Sequence, residues 1–279
     1  MIVWIVFFII LVFSFFMMRF SSPMDESYLN APIHIAFLSS IGTLVWLVIA
    51  SSIAGDAGTR DVQCRMFPMV YTSQSTKLDY FGGKFLAVFV VNSLLLLAIP
   101  FGALIAFYIE PHSPELIGPL QLSSYMNAYL LIVLPNLFVA SGFQFSISIL
   151  SKKAITSYFG SAMLLIASIF IPAVFSQFFD LWDLGKIFQP FGFSLISEMD
   201  DLWDLNQKNT YQIKFEGLLL WNRLLGLGLA ICLLVFAYYR FRFVYPVENT
   251  SFWLNKVIKD KYLKSVIFLG KGFDKNDEV

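Results

Sequence analysis

The residues of this sequence that could do chemistry are few, and many of them cluster. Residues 54–85, AGDAGTRDVQCRMFPMVYTSQSTKLDYFGGKF, hold Arg60, Asp61, Arg65, Lys77, Asp79 and Lys84 between two stretches greasy enough to cross a bilayer. Guanidinium, carboxylate and ammonium groups at this density suit ion pairing with another surface. Arg suits it best, because its planar fork holds a carboxylate with two hydrogen bonds. Catalysis has no comparable set. His34 and His112 are the only histidines, and Cys64 and Cys232 lack metal-ligand spacing. There is no His-Glu-x-x-His zinc motif and no G-x-x-x-x-G-K-[ST] phosphate cradle. Gly55–Lys84 is far longer than the about 2–8 residues that usually join bundle helices. Its apolar run, Met66-Phe67-Pro68-Met69-Val70-Tyr71, predicts a short amphipathic helix that docks on something.

The elements that must position these groups are membrane helices. The chain of 279 residues is 58% hydrophobic and 14% charged, against about 25% charged in soluble domains; its mean hydropathy is +0.72. Formal net charge is zero, which leaves no footprint for nucleic acid. The apolar residues fall into six blocks: Ile2–Met18, Ile35–Ala54, Phe85–Ile109, Tyr125–Leu150, Ala154–Phe179 and Leu218–Tyr239. Lipid offers backbone groups no partner, so each block predicts a helix. The expected fold is therefore all-α: a polytopic membrane protein of six transmembrane helices, with a cytoplasmic coupling helix and short outer-loop helices. Pro100, Pro135 and Pro172 predict kinks within three of the helices. The first block has neither a basic lead-in nor a small-residue cleavage site, which argues against a cleaved signal peptide and suggests residues upstream.

Basic residues orient the bundle. Arg60, Arg65, Lys77, Lys84, the turn Lys152-Lys153 and the tail after Tyr239 fall on one side, which the retention of Lys and Arg makes cytoplasmic. Arg19 disagrees and is outvoted by the other loops. Both termini are then cytoplasmic, and Glu110–Ser124 and Gln177–Gly217 lie outside. Within Gln177–Gly217, Pro190-Phe191-Gly192 breaks two helical patterns, the second running to Leu202 and Trp203. Asn92, Asn136 and Gln144 are expected to bond to neighbouring helices. Arg223 is a functional candidate by its depth; it either snorkels to the headgroups or pairs with Glu216 two turns earlier.

The polar stretch resembles the cytoplasmic loop of type-2 ABC exporter permeases. Arg60-Asp61, Val70-Tyr71-Thr72, Ser75-Thr76-Lys77, Tyr80 and Gly83-Lys84-Phe85 carry the likeness, with Thr72-Ser73-Gln74 where many relatives have Thr-Thr-Pro. It continues through Leu29-Asn30-Ala31-Pro32, Leu134-Pro135-Asn136-Leu137, Pro190-Phe191-Gly192, Trp221-Asn222-Arg223-Leu224-Leu225 and Tyr239-Arg240-Phe241-Arg242-Phe243. The order of motifs is most similar to the N-terminal membrane half of bacterial permeases often fused to a zinc aminopeptidase domain, whose zinc motif is absent from this sequence.

The resemblance implies residues 1–243 as a permease domain in a bacterial cytoplasmic membrane and residues 244–279 as a basic cytoplasmic tail or linker. It implies an ABC ATPase subunit as partner, holding the ATP and Mg, so that this chain needs no cofactor and is not itself an enzyme. It implies a second six-helix half, identical or different, with lipid around both. Arg60, Asp61, Arg65, Phe67, Tyr71 and Lys77, with Lys152 and Lys153, would meet the ATPase. Pro190, Phe191, Gly192, Leu202 and Trp203 would form a lid on the exit, or only a passive cap. The alternative reading is a permease-like scaffold that anchors an ATPase or peptidase without transporting. An intramembrane enzyme is disfavoured, because the six blocks hold almost no ionisable groups.

Overall fold

Residues 2–20, 27–71, 75–109 and 114–242 are described in the computed structural model, the side chains of Ile2, Phe67 and Tyr71 excepted. The chain divides into two compact units, Met1–Phe241 and Arg242–Val279. Apart from Arg242, the second unit, with the expected basic tail, lies outside the described residues.

Every regular element among the described residues is helical. The long ones are α1 (Ile2–Arg19), α2 (Pro32–Gln63), α4 (Lys77–Leu96) continued by α5 (Ala98–Tyr108), α6 (Leu122–Ala128) continued by α7 (Leu134–Ser151), α8 (Ile155–Phe179) and α12 (Gly217–Arg240). The short ones are α3 (Phe67–Tyr71), α9 (Trp182–Phe188), α10 (Phe193–Leu202) and α11 (Leu205–Thr210). Five spans are long and apolar enough to cross a membrane: Pro32–Gln63, Lys77–Tyr108, Leu122–Ser151, Ile155–Phe179 and Gly217–Arg240. The first of the six expected spans is also an apolar helix, but a shorter one. This architecture is consistent with a multi-pass membrane protein.

The prolines act where they were expected, each in its own way. Pro100 cannot donate to Leu96, and the helix breaks at Leu97 between α4 and α5. Pro135 follows a π-helical turn, Tyr129–Val133, which absorbs the missing bond between α6 and α7. Pro172 sits inside α8 and leaves the Ser168 carbonyl without its donor four residues on.

The polar stretch folds differently from expectation. α2 does not stop at Ala54; it runs to Gln63, and α4 starts at Lys77 rather than Phe85. The long loop is thus mainly two helix extensions, with α3 a single turn of five residues between them. The cause is local. The sequence from Gly55 to Gln63 contains no proline, and Thr76 and Asp79 form a capping box that starts α4 early.

α2 is the central element. Of its most apolar window 61% is buried, against 17% for α8 and 28% for α12. It is bound to α7 and α8 by small polar residues rather than by bulk. Ser148 Oγ donates to the Ala54 carbonyl at 3.1 Å, Ser161 Oγ to Leu47 O at 3.0 Å, and Ser157 Oγ to Ser51 O. Gln144 Nε2 donates to Leu47 O at 3.2 Å and to Ser161 Oγ at 2.8 Å. Lipid gives helices little hydrophobic reason to associate, so close backbone approach and such bonds do the holding.

At one end of the bundle, the loop end, polar side chains tie the connections together. Asn30 Nδ2 donates to Tyr108 Oη at 2.7 Å and to Gly118 O at 2.9 Å, and its Oδ1 accepts from Gly118 N at 2.8 Å. Asn209 Oδ1 accepts from Tyr28 N at 2.9 Å, and Gln121 Nε2 donates to Asn209 O at 3.0 Å. α9, α10 and α11 belong to this end. α3 and the α7–α8 turn belong to the other.

Gly55 tests the packing. A Cβ there would lie 2.8 Å from the Ala154 carbonyl oxygen, a backbone atom that cannot step aside. Gly55→Ala is expected to destabilise by about 1–3 kcal/mol through overpacking. Gly82→Ala, with nothing within 4 Å of the new methyl, should be neutral or stabilise by up to about 1 kcal/mol. Denaturant unfolding in mixed micelles separates the two, and equal stability of both variants would mean that α2 and α8 are not in backbone contact.

Candidate functional site: a buried arginine under a broken helical loop

α8 ends at Asp180 in the left-handed region, φ 53°, and the chain turns back into α9. α9 packs on the proline turn of α8, with Phe175 and Phe188 stacked at 5.7 Å. After α9 come Gln189, Pro190, Phe191 and Gly192, and then α10. Gly192 has φ 64°, and a Cβ on it would lie 3.0 Å from Asn222 Oδ1 and 3.3 Å from an Arg223 terminal nitrogen. Conformation and crowding both call for glycine here.

A turn broken in this way exposes backbone carbonyls, and three side chains satisfy them. Asn222 Nδ2 lies 3.1, 2.9 and 2.7 Å from the carbonyl oxygens of Lys186, Ile187 and Gln189, covering the end of α9. Gln189 works in two directions. Its Nε2 donates at 2.7 Å to Ser168 O, the carbonyl that Pro172 leaves open, and its Oε1 accepts from Ser194 N at 2.8 Å in the first turn of α10. Arg223 is the third. One terminal nitrogen donates to Asn136 Oδ1 at 2.6 Å and the other to Phe191 O at 3.4 Å. Asn136 Nδ2 passes the contact to Thr43 Oγ1 at 3.1 Å, and Thr43 donates to Ser40 O at 2.7 Å. A polar line therefore crosses from the loop through α12 and α7 into α2.

Arg223 is 4% exposed, and Asn136 and Phe191 are fully buried. The guanidinium neither snorkels nor pairs with Glu216. Its hydrogen-bond partners are neutral, no carboxylate lies within ion-pair distance among the described residues, and its Nε has no partner. Of the other expected intramembrane polar residues, Asn136 and Gln144 bond across helices. Asn92 does not: both amide atoms are buried without a partner.

Pro190 and Phe191 thus lie in the bonded turn, while Leu202 is 75% exposed at the far end of α10, and Trp203 meets Tyr211 edge-on at 5.9 Å. Lys186, 1% exposed, pairs with Asp183 on its own helix at 2.7 Å and joins α9 to α10 through Glu198 at 2.6 Å. Burial pulls its pKa down, and the two carboxylates more than offset that and hold it above the usual lysine range. Gln189, Thr43 and Lys186 were not expected from the sequence, and Asn222 entered only as part of the stretch Trp221-Asn222-Arg223 that carries the resemblance. Of the first three, Gln189 carried a signal, through its place beside the proline-glycine break.

The other end holds the expected docking residues. Asp61 accepts from Tyr80 Oη at 2.9 Å and pairs with Lys84 at 2.8 Å, so it joins α2 to α4. Arg60 lies 3.9 Å from Asp56, both well exposed, a pair worth about 0–1 kcal/mol. Arg65 is left-handed at φ 54°, just past α2. Phe67 and Tyr71 bound α3, their side chains outside the described residues; beside them Met66 and Met69 are 51% and 76% exposed. Lys77 lies over the Tyr238 ring at 4.6 Å. Lys152 is the left-handed cap of α7, its pKa lowered by burial, and Lys153 follows in the same turn.

The chain matches no protein-family model, no curated protein and no solved structure.

The Arg223–Asn136 bond has a measurable signature. Asn136→Leu strands a buried cation, and Arg223→Met strands a buried carbonyl oxygen; each should cost about 1.5–3 kcal/mol. The double variant leaves neither and should cost less than the sum by about 0.5–3 kcal/mol. Denaturant unfolding of the three variants measures the coupling. Strict additivity would mean that the bond contributes nothing.

Proposed function

We propose that this chain is one membrane half of an ABC-type exporter, moving its substrate when a separate ATPase subunit hydrolyses ATP. The observation that carries the reading is the α2–α3–α4 elbow. Two long helices extend beyond their apolar segments, are clamped to each other by Asp61, Tyr80 and Lys84, and hold a single helical turn with exposed methionines at its tip. Gly55 lies against Ala154 at the start of α8, and α2 continues to Gln63, about 12 Å further at 1.5 Å per residue. A rigid, projecting, apolar-tipped elbow suits the transmission of force from a docked partner to the bundle. α3 is then the coupling helix, and Lys152 and Lys153 a second, smaller contact.

On this reading α1 is the sixth span: its 18 residues fall within the about 17–25 that suffice. The elbow end is cytoplasmic in a bacterial inner membrane, and so are both termini. The charge distribution supports this. Arg60, Arg65, Lys77, Lys84, Lys152, Lys153 and Arg240 lie at the elbow end, against Arg19, Lys186, Lys208 and Lys214 at the loop end, the last three within one long loop that counts for little. α9–α11 form the lid on the outer side. A second half, identical or different, completes the pathway, and ATP and Mg are held by the ATPase.

Two measurements test the reading. Met66→Asp with Met69→Asp should weaken docking of the cognate ATPase by about 2 kcal/mol or more and lower its stimulated hydrolysis, while insertion stays normal. Arg60→Ala should cost about 1 kcal/mol or less. ATPase binding unaffected by the Asp pair would remove the coupling role; binding without any transport would return the chain to a scaffold.

Orientation is read separately. Cys64 is exposed at the elbow and should react with an impermeant maleimide only after cells are opened. Labelling of intact cells would invert the topology.

A further inference from the structure

A cavity of about 530 Å³ lies between the last turns of α1, the first turns of α2 and the end of α10. That is within the range of small-molecule sites, about 300–1,000 Å³. Its lining is divided. Phe16, Met17, Phe37, Leu38 and Ile41 line it with apolar side chains from α1 and α2, Ser197, Asp200 and Asp201 line it from α10, and His34 lies one turn before Leu38 on α2. Phe16 and Phe20, which also line it, are 51% and 68% exposed, so the apolar part opens onto the outer surface of the bundle.

The charges are not balanced within the cavity. Lys208 Nζ stands 3.4 Å from the buried Oδ1 of Asp200 and offsets that carboxylate. Asp201 is exposed and has no ion pair or hydrogen bond among the described residues. Arg19, the cation on the neighbouring turn of α1, lies over the Phe15 ring at 5.6 Å and is not part of the lining. His34 is engaged through Nδ1 with Tyr28 O at 2.9 Å and through Nε2 with Ser27 Oγ at 3.5 Å. A surplus carboxylate therefore sits beside an apolar cavity open on one side.

We propose that this cavity binds a single-chain cationic amphiphile. The ammonium meets Asp201, with Asp200 behind it, and the alkyl chain lies along Phe16, Phe37, Leu38 and Ile41. An anionic headgroup would face like charge, and a neutral one would leave Asp201 without a counter-ion. The inference does not rest on the exporter reading, because binding is measurable whether or not the chain transports.

The test is equilibrium binding of radiolabelled dodecylammonium to the full chain in phosphatidylcholine nanodiscs, with empty nanodiscs subtracted. Saturable binding is expected. Dodecyl sulfate should not displace it, and added salt should weaken it. Asp201→Asn should lower affinity about two- to fivefold, as for an exposed ion pair. Ile41→Trp, which fills the apolar side, should lower it at least tenfold. Three results would overturn the proposal: no saturable component, displacement by dodecyl sulfate as effective as by unlabelled dodecylammonium, or unchanged affinity in a folded Ile41→Trp protein. Asp201→Asn alters an exposed side chain and so remains informative if Ile41→Trp fails to fold; unchanged affinity there would also sink the assignment.

Discussion

The backbone carbonyls freed at the loop end are the constraint on which the rest of this structure depends. Pro172 opens one at Ser168, the end of α9 opens three more, and the turn before α10 leaves that of Phe191. Water could satisfy them on a surface; inside an apolar bundle only the protein can. Gln189, Asn222 and Arg223 do so, and each is thereby fixed in place. Arg223 then needs an acceptor for its other nitrogen, and Asn136 supplies one from α7. Asn136 in turn bonds to Thr43 on α2. The requirement to satisfy one broken turn thus propagates through two helices into α2.

The apolar blocks were legible because composition alone defines them: about 20 consecutive residues with almost no charge have few other uses. Helix ends were legible only where the membrane, rather than the chain, decides them. α2 outruns its greasy block by nine residues, from Ala54 to Gln63, because hydropathy marks where lipid stops and says nothing of where hydrogen bonding stops. One end could have been read: Thr76 and Asp79 have the spacing of a capping box, and they start α4 eight residues before Phe85. Arg223 could be picked out as an anomaly but not given its partner. Glu216 was the charge within helical reach, whereas the actual acceptor lies 87 residues away in sequence. Tertiary partners of a lone buried cation have no local signature.

The two ends of the bundle are built on opposite principles. At the elbow end the interactions are charged: Arg60 with Asp56 at an exposed site, Lys84 with Asp61 at a largely buried one, and Lys77 over Tyr238. The exposed Arg60–Asp56 pair is individually weak and screened by salt, whereas Asp61, Tyr80 and Lys84 hold α2 against α4. At the loop end the polar groups of the broken turn are buried and bonded at 2.6–3.1 Å, except for the 3.4 Å Arg223–Phe191 contact and for Arg223 Nε and Asn222 Oδ1, which have no partner. Such a network is rigid as long as it is complete.

The unequal bonds of Arg223 decide where that rigidity is least. Its 2.6 Å bond to Asn136 holds α12 to α7 inside the bundle, while the 3.4 Å contact to Phe191 holds the loop to both. Hydrogen bonds weaken steeply with length, so a force that separates the α9–α10 turn from the bundle acts first on the longer one. Breaking it leaves the guanidinium still bonded to Asn136, and the step costs less than stranding the charge. Asn222 and Gln189 resist at the same turn, but through α12 and α8, of whose apolar windows only 28% and 17% are buried. The serine and glutamine contacts join α2 to both α7 and α8, and the apolar windows of Pro32–Gln63 and Leu122–Ser151 are each 61% buried. The broken turn is therefore anchored mainly through the two spans whose apolar windows are least buried, α8 and α12.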